Sequence, residues 1–156
     1  MDHQDYLVLA IEEATSGMRS GEGGPFGALI VRDGEILGRG HNTVLASHDP
    51  TAHAEMNTIR DACAKVGDHH LTGAVIYTNF EPCPMCLSAI YWADIRAIYF
   101  SAGREQAGRA GFMDGQLYKE VSMSPGSRRI PSTRIPLEEM AGLMDEWEGM
   151  EGRITY

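Results

Sequence analysis

The stretch Asp49-Pro50-Thr51-Ala52-His53-Ala54-Glu55, answered further along by Glu81-Pro82-Cys83-Pro84-Met85-Cys86, decides how this chain is read. His53, Cys83 and Cys86 offer one imidazole and two thiolates, a donor set suited to tetrahedral zinc. Three protein ligands are the number left when a catalytic zinc keeps its fourth position open for water. Residues spaced as Cys83 and Cys86 are share one face of a helix and can grip one ion together. Each half carries the marks of a helix start: Asp49 as cap and Pro50 in the first helical position, then Pro82 in the first turn of the second helix. His53 then falls about one turn inside its helix, and a helix N-terminus favours thiolate over thiol. Glu55 is too close to His53 in sequence to share its face. It is placed beside a bound water rather than as a fourth ligand.

Outward from these half-sites the chain alternates helices and strands. Leu7, Ala10, Ile11, Ala14 and Met18 recur at helical spacing over Asp5 to Met18, and Gly21, Gly23, Gly24 and Pro25 end that helix. Phe26 to Arg32 reads as a buried strand, Asp33-Gly34 as a hairpin turn and Glu35 to Gly40 as the returning strand. A loop from His41 to His48 leads to the helix that opens at Asp49 and runs to about Val66. Ala74 to Thr78 is a strand, the Glu81-Pro82 helix follows, and Ile95 to Phe100 is the next strand. Ile130 to Ile135, bounded by prolines, is a candidate fifth. Leu137 to Glu148 is helical, and its stripe of Met140, Leu143, Met144 and Trp147 is expected to be core. The alternation argues an α/β fold with helices on both faces of a sheet. With no repeat, linker or low-complexity segment, residues 1–156 are expected to form a single domain.

Composition narrows the function. The 156 residues are 43% apolar and 22% charged, as in ordinary globular proteins. The early apolar run Tyr6 to Ile11 is too short to span a membrane, and Met1-Asp2-His3 lacks the basic start of a secretory signal. Three cysteines, two assigned to metal, leave no disulfide pair and suggest a reducing cytoplasm. A formal net charge of −9, from 22 acidic against 13 basic residues, disfavours a long polyanionic ligand. A small uncharged substrate fits better, with no nucleic acid and no membrane as partner. Cys63, the remaining cysteine, lies on the same predicted helix as His53. At about 1.5 Å per residue it stands roughly 15 Å away, which excludes it as a fourth ligand.

His53-Ala54-Glu55 with Pro82-Cys83-Pro84-Met85-Cys86 resembles the cytidine deaminase superfamily, in which the Glu acts as general acid and base. Further stretches narrow the likeness: GGPFGA at Gly23 to Ala28, the pair His41-Asn42, AIYWA at Ala89 to Ala93, and AGFMDGQLYKE at Ala110 to Glu120. Together they are similar to the bacterial guanine deaminase family over nearly the whole chain. The resemblance implies a three-layer α/β/α sandwich around a central five-stranded mixed sheet. It also implies one zinc per subunit and a homodimer whose exchanged C-terminal segment, about residues 150–156, docks on the partner's active site. Carried over residue by residue, Asn42 would hold a purine base through an amide that both donates and accepts. Phe26 and Trp92 would bound its ring, Ala54 would contact it, Asp114 would shuttle protons to the departing amine, and Tyr156 would serve as lid.

The implied reaction is guanine plus water to xanthine plus ammonia. A three-ligand zinc lowers the pKa of bound water from about 15.7 to about 7, worth on the order of 12 kcal/mol. Glu55 would take the proton and hand it to a ring nitrogen. Alternatives are a deaminase of cytosine, guanosine, ammeline or tRNA adenosine, and, outside catalysis, a zinc-stabilised binding module. A module that had lost catalysis would be expected to lack Glu55.

Overall fold

The computed structural model describes residues 1–112 and 114–155, with the backbone alone for Asp114. The chain divides into two compact units, Met1–Tyr118 and Lys119–Tyr156.

In the first unit, α1 (His3–Arg19) opens on Asp2, whose carboxylate accepts the N–H groups of Gln4 and Asp5. The hairpin follows as β1 (Gly27–Arg32) and β2 (Glu35–His41). Its turn places Asp33 at φ 52° and Gly34 at φ 83°, the left-handed pair that matches strand twist. The short helix α2 (Val44–Ser47) occupies the expected loop. After it come α3 (Ala54–Val66), β3 (Val75–Phe80), α4 (Pro84–Trp92), β4 (Ala97–Ala102) and α5 (Arg104–Arg109). The helix α6 (Asp114–Ser122) follows.

The sheet runs β2-β1-β3-β4, with β1 antiparallel to both neighbours and β3 parallel to β4. Period-two alternation sends Ala28, Ile30 and Ile76 to one face with Ala54, Ala62 and Ile90, and Leu29, Val31 and Tyr77 to the other with Tyr6 and Ala10. Helices therefore cover both faces, as the three-layer reading expects. The sheet has four strands, not five. Ile130 to Ile135 is irregular, its two isoleucines exposed, and Pro131 and Pro136 have no N–H to give to a ladder.

The α3 helix rests directly on the backbone of β2. A methyl at Gly38 would lie 2.7 Å from the Thr58 carbonyl oxygen and 3.0 Å from Ala62. This close seat sets the height of α3, and with it His53, above the sheet.

The second unit contains α7 (Glu139–Gly149). Its apolar stripe is not core: Met140, Leu143, Met144 and Trp147 are all exposed. No described helix is long and apolar enough to cross a membrane.

Candidate active site

Two helix starts build the site, the first four residues and the second two residues later than the proline pattern suggests. His53 is the N-cap of α3 with φ −69° and ψ 159°, and Cys83 is the N-cap of α4 with φ −68° and ψ 167°. Pro50 does not open a helix, because the Asp49 carboxylate accepts the Thr51 N–H at 2.8 Å and the Thr51 hydroxyl at 2.7 Å, closing a turn instead. Pro82 does not either. Pro84 holds the preceding Cys83 extended and takes the first helical position itself. The two ligands are thus equivalent caps, and Glu55 and Cys86 both lie in the first turns they introduce.

The structure brings His53, Cys83 and Cys86 together, their ligand atoms all within 4.8 Å of one another. The Nδ1 atom of His53 is 3.6 Å from Cys83 Sγ and 3.5 Å from Cys86 Sγ. Tetrahedral zinc with bonds of about 2.3 Å to sulfur and about 2.05 Å to nitrogen spaces its S and N ligands about 3.6 Å apart. The donor set fits the ion in kind and in spacing. Cys63 stands outside this cluster, as the helical distance requires.

Charge at the site follows from burial and mutual hydrogen bonding. The hydrogen bond from Cys86 draws the Cys83 thiol down to about 4, with help from His53 and against burial. The same bond, seen from Cys86, pushes that thiol upward, and burial adds to it. A divalent cation held there would favour the thiolate form of both. Burial lifts the Glu55 carboxyl to about 7, opposed chiefly by its own backbone N–H, with the Cys83 charge adding to the rise. A carboxyl poised there can both accept and return a proton near neutrality.

His53, Glu55 and Cys83 line a cavity of about 400 Å³ together with Phe26, Phe112, Asn42, Val44, Leu45, Pro50, Glu81 and the Gly23-Gly24 backbone. Phe26 and Phe112 meet edge to face, centroids 4.6 Å apart at 83°. Asn42 is buried, and its Oδ1 accepts the N–H groups of Gly24 at 3.3 Å and Val44 at 3.2 Å. Its oxygen is therefore committed to the protein. That leaves the amide its N–H groups to offer a ligand, a donor alone where donor and acceptor together were expected.

The other candidates separate. Ala54 opens α3, but its methyl is fully buried in the core and forms no part of the cavity wall. Trp92 ends α4 at 64% exposure, away from the cavity lining, so it does not bound a ring within its own chain. Asp114 is the first residue of α6; its side chain, like Tyr156, lies outside the described residues. Sequence reading missed the parts played by Glu81 and Phe112. Both stand inside quoted motifs, EPCPMC and AGFMD, but nothing in their spacing singles them out. Glu81 is held by Arg104, whose guanidinium lies 3.2 Å from one carboxylate oxygen and whose backbone N–H donates to the other at 3.1 Å.

A three-layer sandwich with a His-Cys-Cys cluster capping two adjacent helices, and a buried carboxyl beside it, defines the zinc-binding deaminase class. The chain belongs to the cytidine and deoxycytidylate deaminase zinc-binding family, whose characteristic region matches residues 1–102. It is 42% identical to guanine deaminase of Bacillus subtilis (strain 168) over 156 residues, all of both chains. The X-ray structure of guanine deaminase from Bacillus subtilis superposes with a TM-score of 0.97, covering 100% of this chain and 99% of that one. A tRNA-specific adenosine deaminase of Aquifex aeolicus (strain VF5) is 35% identical over 147 residues, 94% of each chain.

Proposed function

We propose that this chain hydrolyses guanine to xanthine and ammonia with one zinc per subunit. The likeness to a guanine deaminase from end to end of both chains carries the reading. His53, Cys83 and Cys86 would hold the zinc, which when bound lowers the pKa of a water to near neutrality. Glu55 takes a proton from the attacking water and delivers it to N3 of the base as C2 is attacked. Asp114 passes the second proton to the amine, which leaves as ammonia. The Asn42 amide donates to an acceptor on the base, and Phe26 with Phe112 flanks the ring.

The cavity supports a small uncharged substrate over RNA: its described lining includes the carboxylates Glu55 and Glu81 and no Lys or Arg. The exposed α7 stripe and the exposed Trp92 support a homodimer, since apolar surface of that kind is ordinarily covered. In that dimer residues 1–156 act as one deaminase domain, with the tail and Tyr156 closing the partner's cavity. Three cysteines, none in a disulfide, suit the cytoplasm. Ammonia release from guanine, guanosine, cytosine, adenine, ammeline and an adenosine-containing RNA, with and without chelator, tests the reading. Chelator-sensitive release from guanine is the expected result. Release from the RNA alone would move the substrate to tRNA adenosine, and release from none would favour a binding module.

A further inference from the structure

The helix that carries Asp114 is tethered by a residue with no role so far. The Tyr118 hydroxyl donates to the Pro82 carbonyl at 2.7 Å, the usual length of a good O–H···O bond. That carbonyl belongs to the peptide that leads directly into Cys83. The Arg104 guanidinium carbon lies 4.5 Å above the centre of the Tyr118 ring, and Arg104 also grips the Glu81 carboxylate. Glu81 is the neighbour of Pro82 and lines the cavity with Cys83. Glu81, Arg104, Tyr118 and Pro82 thus close a ring of contacts around the start of the cysteine half-site.

Tyr118 and Asp114 are both on α6, four positions apart. One helical turn separates them, on the same face and about 6 Å apart. The approach to α6 turns at Gly111, φ 95°, where the N–H groups of Ala110, Gly111 and Phe112 donate back to the carbonyls of Ala107, Gly108 and Ala107. We propose that Tyr118 is a positioning residue for the deamination: its hydroxyl pins α6 to the metal half-site and so sets where Asp114 stands. The inference rests on Asp114 serving as the acid named under the proposed function. Proton transfer needs heavy atoms about 2.6–3.2 Å apart, and a shift of about 1 Å can cost on the order of 10²-fold in rate.

Tyr118→Phe removes the hydroxyl and leaves the ring under Arg104. The expected result is a kcat about 10- to 100-fold lower, with KM within about twofold of wild type and zinc still one per chain. Because Tyr118 acts through Asp114, adding Tyr118→Phe to Asp114→Asn should cost nothing more. The assay uses whichever base releases ammonia from the wild-type enzyme, so a wrong choice of base leaves it intact. Silence of the wild type on every base would instead sink the proposed function. Wild-type kcat in Tyr118→Phe, a multiplicative loss in the double variant, loss of zinc, or full activity in Asp114→Asn would each overturn the positioning role.

Discussion

On the proposed reading Asn42 would separate stability from recognition, its oxygen holding the loop and its N–H groups left for the base. Its Oδ1 accepts two backbone N–H groups, at 3.3 and 3.2 Å, in a loop so tight that a methyl on Gly23 would fall 2.1 Å from that oxygen. Asn42→Ala leaves both donors without their acceptor. At about 0.5–1.5 kcal/mol per bond the loss is about 1–3 kcal/mol. For a chain of this size that lowers Tm by roughly 2–4 °C per kcal/mol. Asn42→Asp keeps an oxygen for the two N–H groups and should melt close to wild type. It also turns the ligand-facing donor into an anionic acceptor, in a cavity that already holds Glu55 and Glu81. An acceptor on the base then meets like charge, and KM is expected to rise about 10- to 100-fold, the equivalent of about 1.4–2.8 kcal/mol. Differential scanning calorimetry with steady-state ammonia release reads both quantities on the same preparations. Wild-type KM in Asn42→Asp would refute the amide as a base contact. Equal melting of Asn42→Ala and wild type would refute the loop clamp.

Glu55→Gln should retain zinc by atomic absorption while kcat falls about 10²- to 10⁴-fold, the usual worth of a positioned acid–base group. Removing zinc should lower Tm reversibly. Restoring it to about 100 times its Kd should return about 2.7 kcal/mol, readable as a concentration-dependent melting shift. Gly38→Ala drives a methyl against the Thr58 carbonyl and is expected to cost about 1–3 kcal/mol in urea unfolding. Zinc affinity should drop with it, since α3 carries His53.

Much of the site was legible because its chemistry is local. The H-x-E and C-x-x-C spacings name the donors, and the physics of helix termini names the neighbourhood in which they sit. The misplaced helix starts have a cause each: Pro82 and Pro84 compete for one boundary, and at the other an Asx turn at Asp49 takes up Pro50. Pro82 and Pro84 both suit the first helical position, and only the restriction on the residue before a proline decides for Pro84. Asn42 was legible as a polar residue after a strand, but which end of its amide is spoken for depends on Gly24 and Val44, a tertiary fact. Trp92 and the α7 stripe show the opposite failure. Helical period marks the stripe as core, and the resemblance sets Trp92 against a ring, yet the described chain leaves them all exposed. Helical spacing says that a face needs cover and not which chain supplies it.

The two equivalent caps also explain why a carboxyl with a raised pKa can stand beside two sulfurs without unravelling the fold. Each N-cap directs the partial positive end of its helix toward the cluster, α3 at His53 and α4 at Cys83. Glu55 and Cys86 occupy those first turns, where negative charge is best tolerated. A cation gripped by the three ligands would add to the same field, so both sulfurs could ionise and Glu55 would be drawn toward its charged form. A bound metal would therefore draw a carboxyl that burial lifts to about 7 toward the form able to take a proton. The coupling is possible because the half-sites are helix tips: the free N–H groups at the start of α3, that of Glu55 among them, moderate the cost of burying the acid.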